Sequence, residues 1–411
     1  MIEKKAQTEG MMSGFKHFQL ADSIIEQIKH RGYTEPTSIQ QECIPLLMQG
    51  HDLLGIAQTG TGKTAAFSLH MIDKFIKNKI DLNPKSSRAL ILAPTRELAS
   101  QIFESIEYYA TGTNLKITVA YGGIKKQDQV DALKSGLDIL VATPGRLLDL
   151  VLSDEIKFSQ LEIFILDEAD SMMDLGFSKT VEKIIQKLPI NRQTLLFSAT
   201  MPNEIEQLSK EIQRDPRRVE ISSNSETANA VTQSICLLAK SNKMLLLLSI
   251  LENTDYKSVL IFCKTKIGSD IVAQNLLEAE IQALSFHSNK HQRERERVLQ
   301  EFKDSNIRVL VATDVAARGI DIEDINLVIN FNLPDDPRNY IHRVGRTARA
   351  GRKGEAISFV VENDVELINS IQESIQQKIP INSNKKFHKE FSLVIKKPKV
   401  KNKTKKGKKK K

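Results

Sequence analysis

The 411-residue chain contains no tryptophan, and aromatics make up only 5% of it. Its three cysteines, Cys43, Cys236 and Cys263, lie far apart with no CxxC spacing. That speaks against a disulfide framework and a cysteine-based zinc site, and points to a reducing cytoplasm. Long apolar runs are missing too: Met244 to Leu248 is among the longest and is far too short to span a bilayer. The opening residues, MIEKKAQTEG, lack the apolar stretch of a secretory signal, so a cytoplasmic protein with no membrane partner is expected. Residues 396–411 lack acids altogether and carry eleven lysines. Without them the net charge of +8 drops to about −3, so local patches must grip any anionic partner of the folded part. The tail itself, interrupted by Pro398 and Gly407 and free of aromatics, is expected to be disordered.

What is present begins with a glycine-rich stretch, Ala57-Gln58-Thr59-Gly60-Thr61-Gly62-Lys63-Thr64. Leu53, Leu54 and Ile56 before it read as a short buried strand, and Phe67, Met71 and Phe75 after it recur at helical spacing. A small-residue turn between a strand and a helix N-terminus turns backbone N–H groups inward and cradles phosphate. Lys63 can reach the β- and γ-phosphates, and the Thr64 hydroxyl can ligate Mg²⁺. Ala57 stands where the general pattern has glycine.

Upstream, Leu20, Ile24, Ile25 and Ile28 read as a helix closed by Gly32. A proline-containing turn then leads to Gln40, whose amide offers a donor and an acceptor that match adenine N6 and N7. Tyr33 can stack on the base. Downstream, apolar β-rich runs at 89–93, 117–120, 139–142, 163–166 and 195–197 alternate with helical patterns, which predicts a parallel α/β sheet. Ligands gather at the carboxyl ends of such strands, and the runs end in polar clusters: Pro94-Thr95-Arg96-Glu97, Gly122-Gly123, Thr143-Pro144-Gly145-Arg146, Asp167-Glu168-Ala169-Asp170 and Ser198-Ala199-Thr200. Asp167 can hold Mg²⁺ through water. Glu168 can orient and deprotonate a water attacking the γ-phosphate.

Residues 214–229, rich in charge, serine and asparagine, read as a domain end and linker. The alternation restarts with runs at 259–262, 284–286, 309–312, 327–330 and 356–361, without a second phosphate loop. The expected organisation is a first domain over 1–215, a linker over 216–230, a second domain over 231–380 and a basic tail over 381–411. The second domain carries Thr313 to Asp321, with Arg318 and Gly319, and the run from His342 to Arg349. In that run Arg343, Arg346 and Arg349 suggest phosphate contact, and Arg346 and Arg349 would share a face on a helix. An arginine reaching across a domain cleft can neutralise charge at a transferring phosphoryl group.

With these residues in order, the chain resembles the DEAD-box ATP-dependent RNA helicases from about Phe15 to Phe359. The motifs are Phe15, Tyr33 and Gln40, then AQTGTGKT, PTRELA, Gly122-Gly123, TPGR, Asp167-Glu168-Ala169-Asp170 and SAT. Ile261-Phe262-Cys263, Gln292 with Arg295, TDVAARGID and HRVGRTAR follow. The overall plan is similar to bacterial members of the RhlE type. The resemblance implies two RecA-like domains with ATP in the cleft between them. Tyr33 and Gln40 would read adenine, residues 57–64 with Asp167 and Glu168 would handle phosphates, Mg²⁺ and water, and Gly319 and Asp321 would approach the nucleotide. Arg346 and Arg349 would act as fingers, while Ser198, Thr200 and His342 would couple the γ-phosphate to closure. RNA would cross Pro94, Thr95, Arg96, Gly123, Thr143, Gly145 and Arg146 of the first domain. In the second it would meet Gln292, Arg295, Thr313 and Arg318. Ser288 and Ala348 stand where the family usually or often has glycine.

The expected activity is RNA-stimulated ATP hydrolysis with local unwinding of short duplexes. An ATP-gated RNA clamp or remodelling factor would use the same residues, and a processive DNA translocase fits the Gln40 segment less well. The biological RNA stays open among ribosome precursors, messenger RNA and a degradation assembly.

Overall fold

The computed structural model describes residues 14–58, 60–221, 231–317, 325–348 and 354–383. Thr59, Arg318, Gly319, Asp321, Arg349, most of the expected linker and nearly all of the basic tail lie outside these residues.

The first sheet has seven strands: β1 Leu53–Ile56, β2 Ser87–Leu92, β3 Ile117–Ala120, β4 Leu137–Ala142, β5 Ile163–Leu166, β6 Gln193–Ser198 and β7 Arg217–Glu220. Their order is β3-β4-β2-β5-β6-β1-β7, and every pairing is parallel. The second sheet has six: β8 Val231–Leu237, β9 Val259–Phe262, β10 Ala283–Phe286, β11 Val309–Ala312, β12 Leu327–Asn330 and β13 Gly354–Val360. It too is wholly parallel, in the order β10-β11-β9-β12-β13-β8. The expected pair of α/β domains with parallel sheets is therefore present.

Continuous apolar runs suit strands buried on both faces, and the packing follows the two-residue side-chain period. In β5, Ile163 and Ile165 enter one core, which the phosphate-loop helix Lys63–Lys77 helps to build, while Phe164 and Leu166 enter the core on the opposite face. In β9, Leu260 and Phe262 likewise separate from Val259 and Ile261.

Two strands escaped the sequence reading. β7, Arg217-Arg218-Val219-Glu220, falls within the expected linker yet pairs with β1, and only Val219 is buried. β8 was not recognised, and the chain returns to its flank at 380–382, where Ile235 N donates to Pro380 O (2.9 Å) and Asn382 N to Ile235 O (2.7 Å). The first domain thus runs past 215 and the second past 380.

Strand order positions the site. β5, β6 and β1 are adjacent, with Ile56 opposite Ser198 and Leu166 opposite Leu196. Their carboxyl ends therefore bring the phosphate loop, Asp167-Glu168 and Ser198 side by side.

Candidate active site and nucleic-acid interface

Lys63 begins its helix and is buried, and its Nζ turns back to donate to Ala57 O at 2.7 Å. The loop is tied further by Ala57 N donating to Ser198 O (3.0 Å) and Thr61 Oγ1 to Gln58 O (2.8 Å). Gly62 has φ +95, and a Cβ there would lie 2.4 Å from Gln40 Nε2, so only glycine fits that turn.

Gln40 sits at the third position of helix Ser38–Met48, within a capping box. Its Oε1 accepts from Thr37 N (3.0 Å), and its Nε2 donates to Gly62 O (3.2 Å). One hydrogen and one lone pair of the amide remain beyond these bonds. The contact with the phosphate loop was not foreseen, because twenty-two residues separate the partners. Tyr33 is 45% exposed, as a base-stacking ring requires.

Asp167 is fully enclosed at the end of β5. Burial pushes its pKa up from 3.8 to about 6 against the pull of Lys63, with Glu168 adding to the rise. Glu168 has φ +50 and ψ +53, left-handed for a non-glycine residue, and it begins the helix Ala169–Asp174. Asp170 Oδ2 accepts from both Thr200 N and Thr200 Oγ1 at 2.8 Å, and His342 Nε2 of the second domain lies 3.9 Å from it. Burial alone would raise the Asp170 pKa; His342 and the Thr200 bond outweigh that and hold it low. Ser198 Oγ is buried with no partner among the described residues.

These features fit ATP and Mg²⁺. Lys63 is a buried cation hydrogen-bonded to a carbonyl, Asp167 is a buried carboxylate that burial disfavours more than Lys63 favours, and Thr64 next to Lys63 is half-buried. No cluster of three metal-ligating side chains occurs among the described residues.

A second set of residues lines the first domain. Thr95 Oγ1 caps helix Arg96–Tyr109 by accepting from Leu98 N (3.2 Å), and Pro94 before it is buried. The Arg96 guanidinium lies over Gly122-Gly123: a Cβ on Gly123, where φ is +90, would fall 2.2 Å from Arg96 Nη1. Thr143 precedes helix Pro144–Leu152, with Gly145 exposed and Arg146 Nη2 donating to Ile124 O at 3.3 Å. Burial lowers the Arg146 pKa, Asp149 at 3.8 Å from its Nε opposes that, and Arg96 lowers it further, so two guanidiniums share this surface.

Gln292 and Arg295, expected as RNA contacts, are buried in the domain seam. Arg295 Nη2 meets Glu97 Oε2 at 2.8 Å, Gln292 Nε2 donates to Glu97 Oε1 (3.3 Å), and Arg96 Nη1 reaches Gln292 Oε1 (3.5 Å). They bridge the domains. The two described arginines of the 342–349 run differ in kind. Arg343 is 2% exposed and bound by Asp314 (Nη2 to Oδ2, 2.7 Å), Asn330 and the Asn332 carbonyl, so it is structural. Arg346 lies beyond the end of helix Pro337–Val344. Its Nε donates to His342 O at 3.3 Å. Thr313 is buried after β11, its N–H donating to Phe286 O (3.3 Å).

A phosphate loop in one parallel sheet, with His342 of a second sheet's domain brought to 3.9 Å from Asp170 beside it, marks a two-domain nucleoside triphosphatase. Residues 37–208 match the DEAD/DEAH box helicase model, and residues 242–351 match the helicase conserved C-terminal domain. The chain is 40% identical to DEAD-box ATP-dependent RNA helicase 20 of Arabidopsis thaliana over 90% of its length and 75% of that protein. It is also 40% identical to ATP-dependent RNA helicase DbpA of Bacillus subtilis, covering 89% and 75%. The chain belongs to the DEAD-box ATP-dependent RNA helicases, and it is accordingly an ATP-hydrolysing RNA helicase. With relatives in both plants and bacteria, the RhlE-type placement is not distinguished. Among solved structures, Saccharomyces cerevisiae Dbp5 bound to RNA and ADP BeF3 aligns at TM-score 0.80 with 30% identity, covering 90% of this chain and 95% of that one. A DEAD box protein from Methanococcus jannaschii is 38% identical, covering 90% and 99%, but aligns at only 0.53.

Proposed function

We propose that this protein opens short RNA duplexes locally, closing its domains on ATP, Mg²⁺ and one strand. The carrying observation is the seam. Glu97–Arg295 and Asp170–His342 tie the two domains directly behind the strand-facing and phosphate-facing residues. A ligand that touches both domains favours this closed arrangement, and two such ligands raise each other's affinity.

Bound in the cleft, ATP with Mg²⁺ supplies the phosphoryl group and neutralises much of its charge. Lys63 would exchange the Ala57 carbonyl for phosphate oxygens, the Thr64 hydroxyl would ligate the ion, and Asp167 would hold it through water. Glu168 takes a proton from the attacking water, while Arg346, together with Arg349, offsets charge on the γ-phosphate. Gln40 and Tyr33 select adenine, and Gly319 and Asp321 approach the ribose side. Ser198 and Thr200 relay the γ-phosphate's presence to His342 through Asp170. Thr95, Arg96, Gly123, Thr143, Gly145 and Arg146 hold the strand's backbone with Thr313 and Arg318, giving weak sequence preference and recognition of 2′-hydroxyls. The place of action is the cytoplasm, on ribosome precursors or within an RNA-degradation assembly.

The test measures ATPase activity with single-stranded RNA and DNA, alongside duplex unwinding and ATP-dependent RNA retention. RNA-specific stimulation with strand release is expected. Retention without release would make the protein a clamp, and stimulation by DNA would overturn RNA selectivity.

A further inference from the structure

Helix Ala169–Asp174 starts within the DEAD motif, and helix Pro337–Val344 carries His342. They meet across the domain seam at two points. His342 Nε2 lies 3.9 Å from Asp170 Oδ2, and Arg338 Nη2 lies 3.4 Å from Asp174 Oδ1. Arg338 and His342 are one helical turn apart, as are Asp170 and Asp174, and the early residue of one helix meets the late residue of the other. The helices therefore run antiparallel, and side chains spaced by four form the two rungs of a ladder. The inner rung belongs to the nucleotide site. The outer rung has no place in the phosphate or strand chemistry.

Arg338 is held ready for that contact. Asp336 caps the helix, accepting from Arg338 N at 2.9 Å, and its carboxylate also takes Arg338 Nε (3.0 Å) and Nη2 (2.6 Å). A fork fixed in this way loses little rotamer freedom when the domains meet. Asp336, then Asp174 and Glu204 across the seam, all favour the charged guanidinium. Asp174 is only 12% exposed at its side chain, whereas Arg338 is 43% exposed. The pair is thus open enough to break each time the domains part.

We propose that Arg338 and Asp174 are positioning residues whose ion pair sets the register in which the second domain closes, and so the delivery of His342 and Arg346 to the nucleotide. This inference rests on the helicase reading above, since register matters only if closure drives turnover.

The experiment uses the full chain with Asp174→Arg, Arg338→Asp, the double exchange and the conservative Arg338→Lys. Each charge reversal is expected to raise the RNA concentration for half-maximal ATPase about threefold to tenfold at low salt, with a smaller loss of kcat at saturating RNA. The double exchange should recover most of that loss, and Arg338→Lys should retain most function. The ratio of variant to parent should shrink at high salt, because a partly exposed pair is screened. Thermal melting without ligands should not move, which separates a closure contact from a fold contact. Parent-like behaviour of both reversals overturns the proposal. So does a double exchange no better than the worse single variant, or a loss that follows melting temperature alone. A parent chain whose ATPase ignores RNA would refute the helicase reading instead, and that control is read first.

Discussion

Replacing Asp167 with asparagine should stabilise the unliganded protein while abolishing its catalysis. Burial raises this carboxyl from 3.8 to about 6. Near neutral pH the folded state therefore carries an ionised group it disfavours by about two units, a ceiling of about 3 kcal/mol. Asparagine keeps an oxygen to accept the Glu168 N–H, now 3.0 Å from Asp167 Oδ1. It removes the charge but still buries an amide, so we expect a net gain of about 1–2 kcal/mol. For a domain of this size that corresponds to melting about 3 to 6 °C higher.

The pH dependence has a definite sign. The folded-state pKa lies above the unfolded one, so between about pH 4 and 6 the folded protein holds the extra proton. Stability from this group is greatest below that window and is lost as pH rises through it. The gap between Asp167→Asn and the parent should therefore open from about pH 4 and level off above about pH 6. Calorimetry across that range is the assay, repeated with Mg²⁺ and a non-hydrolysable ATP analogue. Ligand should raise the parent's melting temperature and narrow the gap, because a cation relieves the carboxylate. A variant that melts below the parent near neutral pH, or a gap flat across the window, would refute the reasoning.

Glu168→Gln should keep ATP and RNA binding and lose nearly all hydrolysis, leaving the protein trapped on RNA; near-normal turnover removes Glu168 as the base. Arg343→Ala should cost about 3 kcal/mol in denaturant unfolding, because it leaves Asp314 and Asn330 without their buried partner. Arg346→Ala should cut kcat by more than any loss of stability accounts for, a contrast with Arg343→Ala that a shared phosphate role for both would not give. Ala348 has φ +57, where alanine is strained by about 1–2 kcal/mol, so Ala348→Gly should be neutral to stabilising by up to about 1 kcal/mol after glycine's entropic cost. Deleting residues 396–411 removes eleven lysines; if about half meet phosphates, the log–log salt slope for single-stranded RNA should flatten by about 3 to 4, with kcat at saturating RNA unchanged.

The central strands were legible because each is an apolar run long enough to be buried on both faces, as Ile163 to Leu166 is. The edges were not. β7 buries Val219 alone among arginines and a glutamate, since an edge strand needs only one side chain in the core. Position along the chain also could not rank the three arginines. Arg343 is structural because the fold supplies Asp314, twenty-nine residues upstream, as its partner. Gln292 and Arg295 face inward because Glu97, on the other domain, is there to meet them. A motif identifies the residues, whereas long-range pairing decides which surface each one serves.

The acidic motif shows the same division within four residues. Asp167 completes β5 and inherits the strand's burial, which is readable from the apolar run before it. Asp170 is turned into the seam and fixed by Thr200, a partner thirty residues away. Between them, Glu168 adopts φ +50, a left-handed conformation that costs a non-glycine residue about 1–2 kcal/mol. Without that kink the chain would continue from strand to helix with Glu168 pointing to the face opposite Asp167, as successive residues of a strand do. In the proposed mechanism, strain held at one residue lets neighbouring carboxylates act on the same phosphate with different duties, one toward the metal and one toward water. Glycine at 168 would relieve that strain, at glycine's entropic cost, and remove the carboxylate proposed as the base.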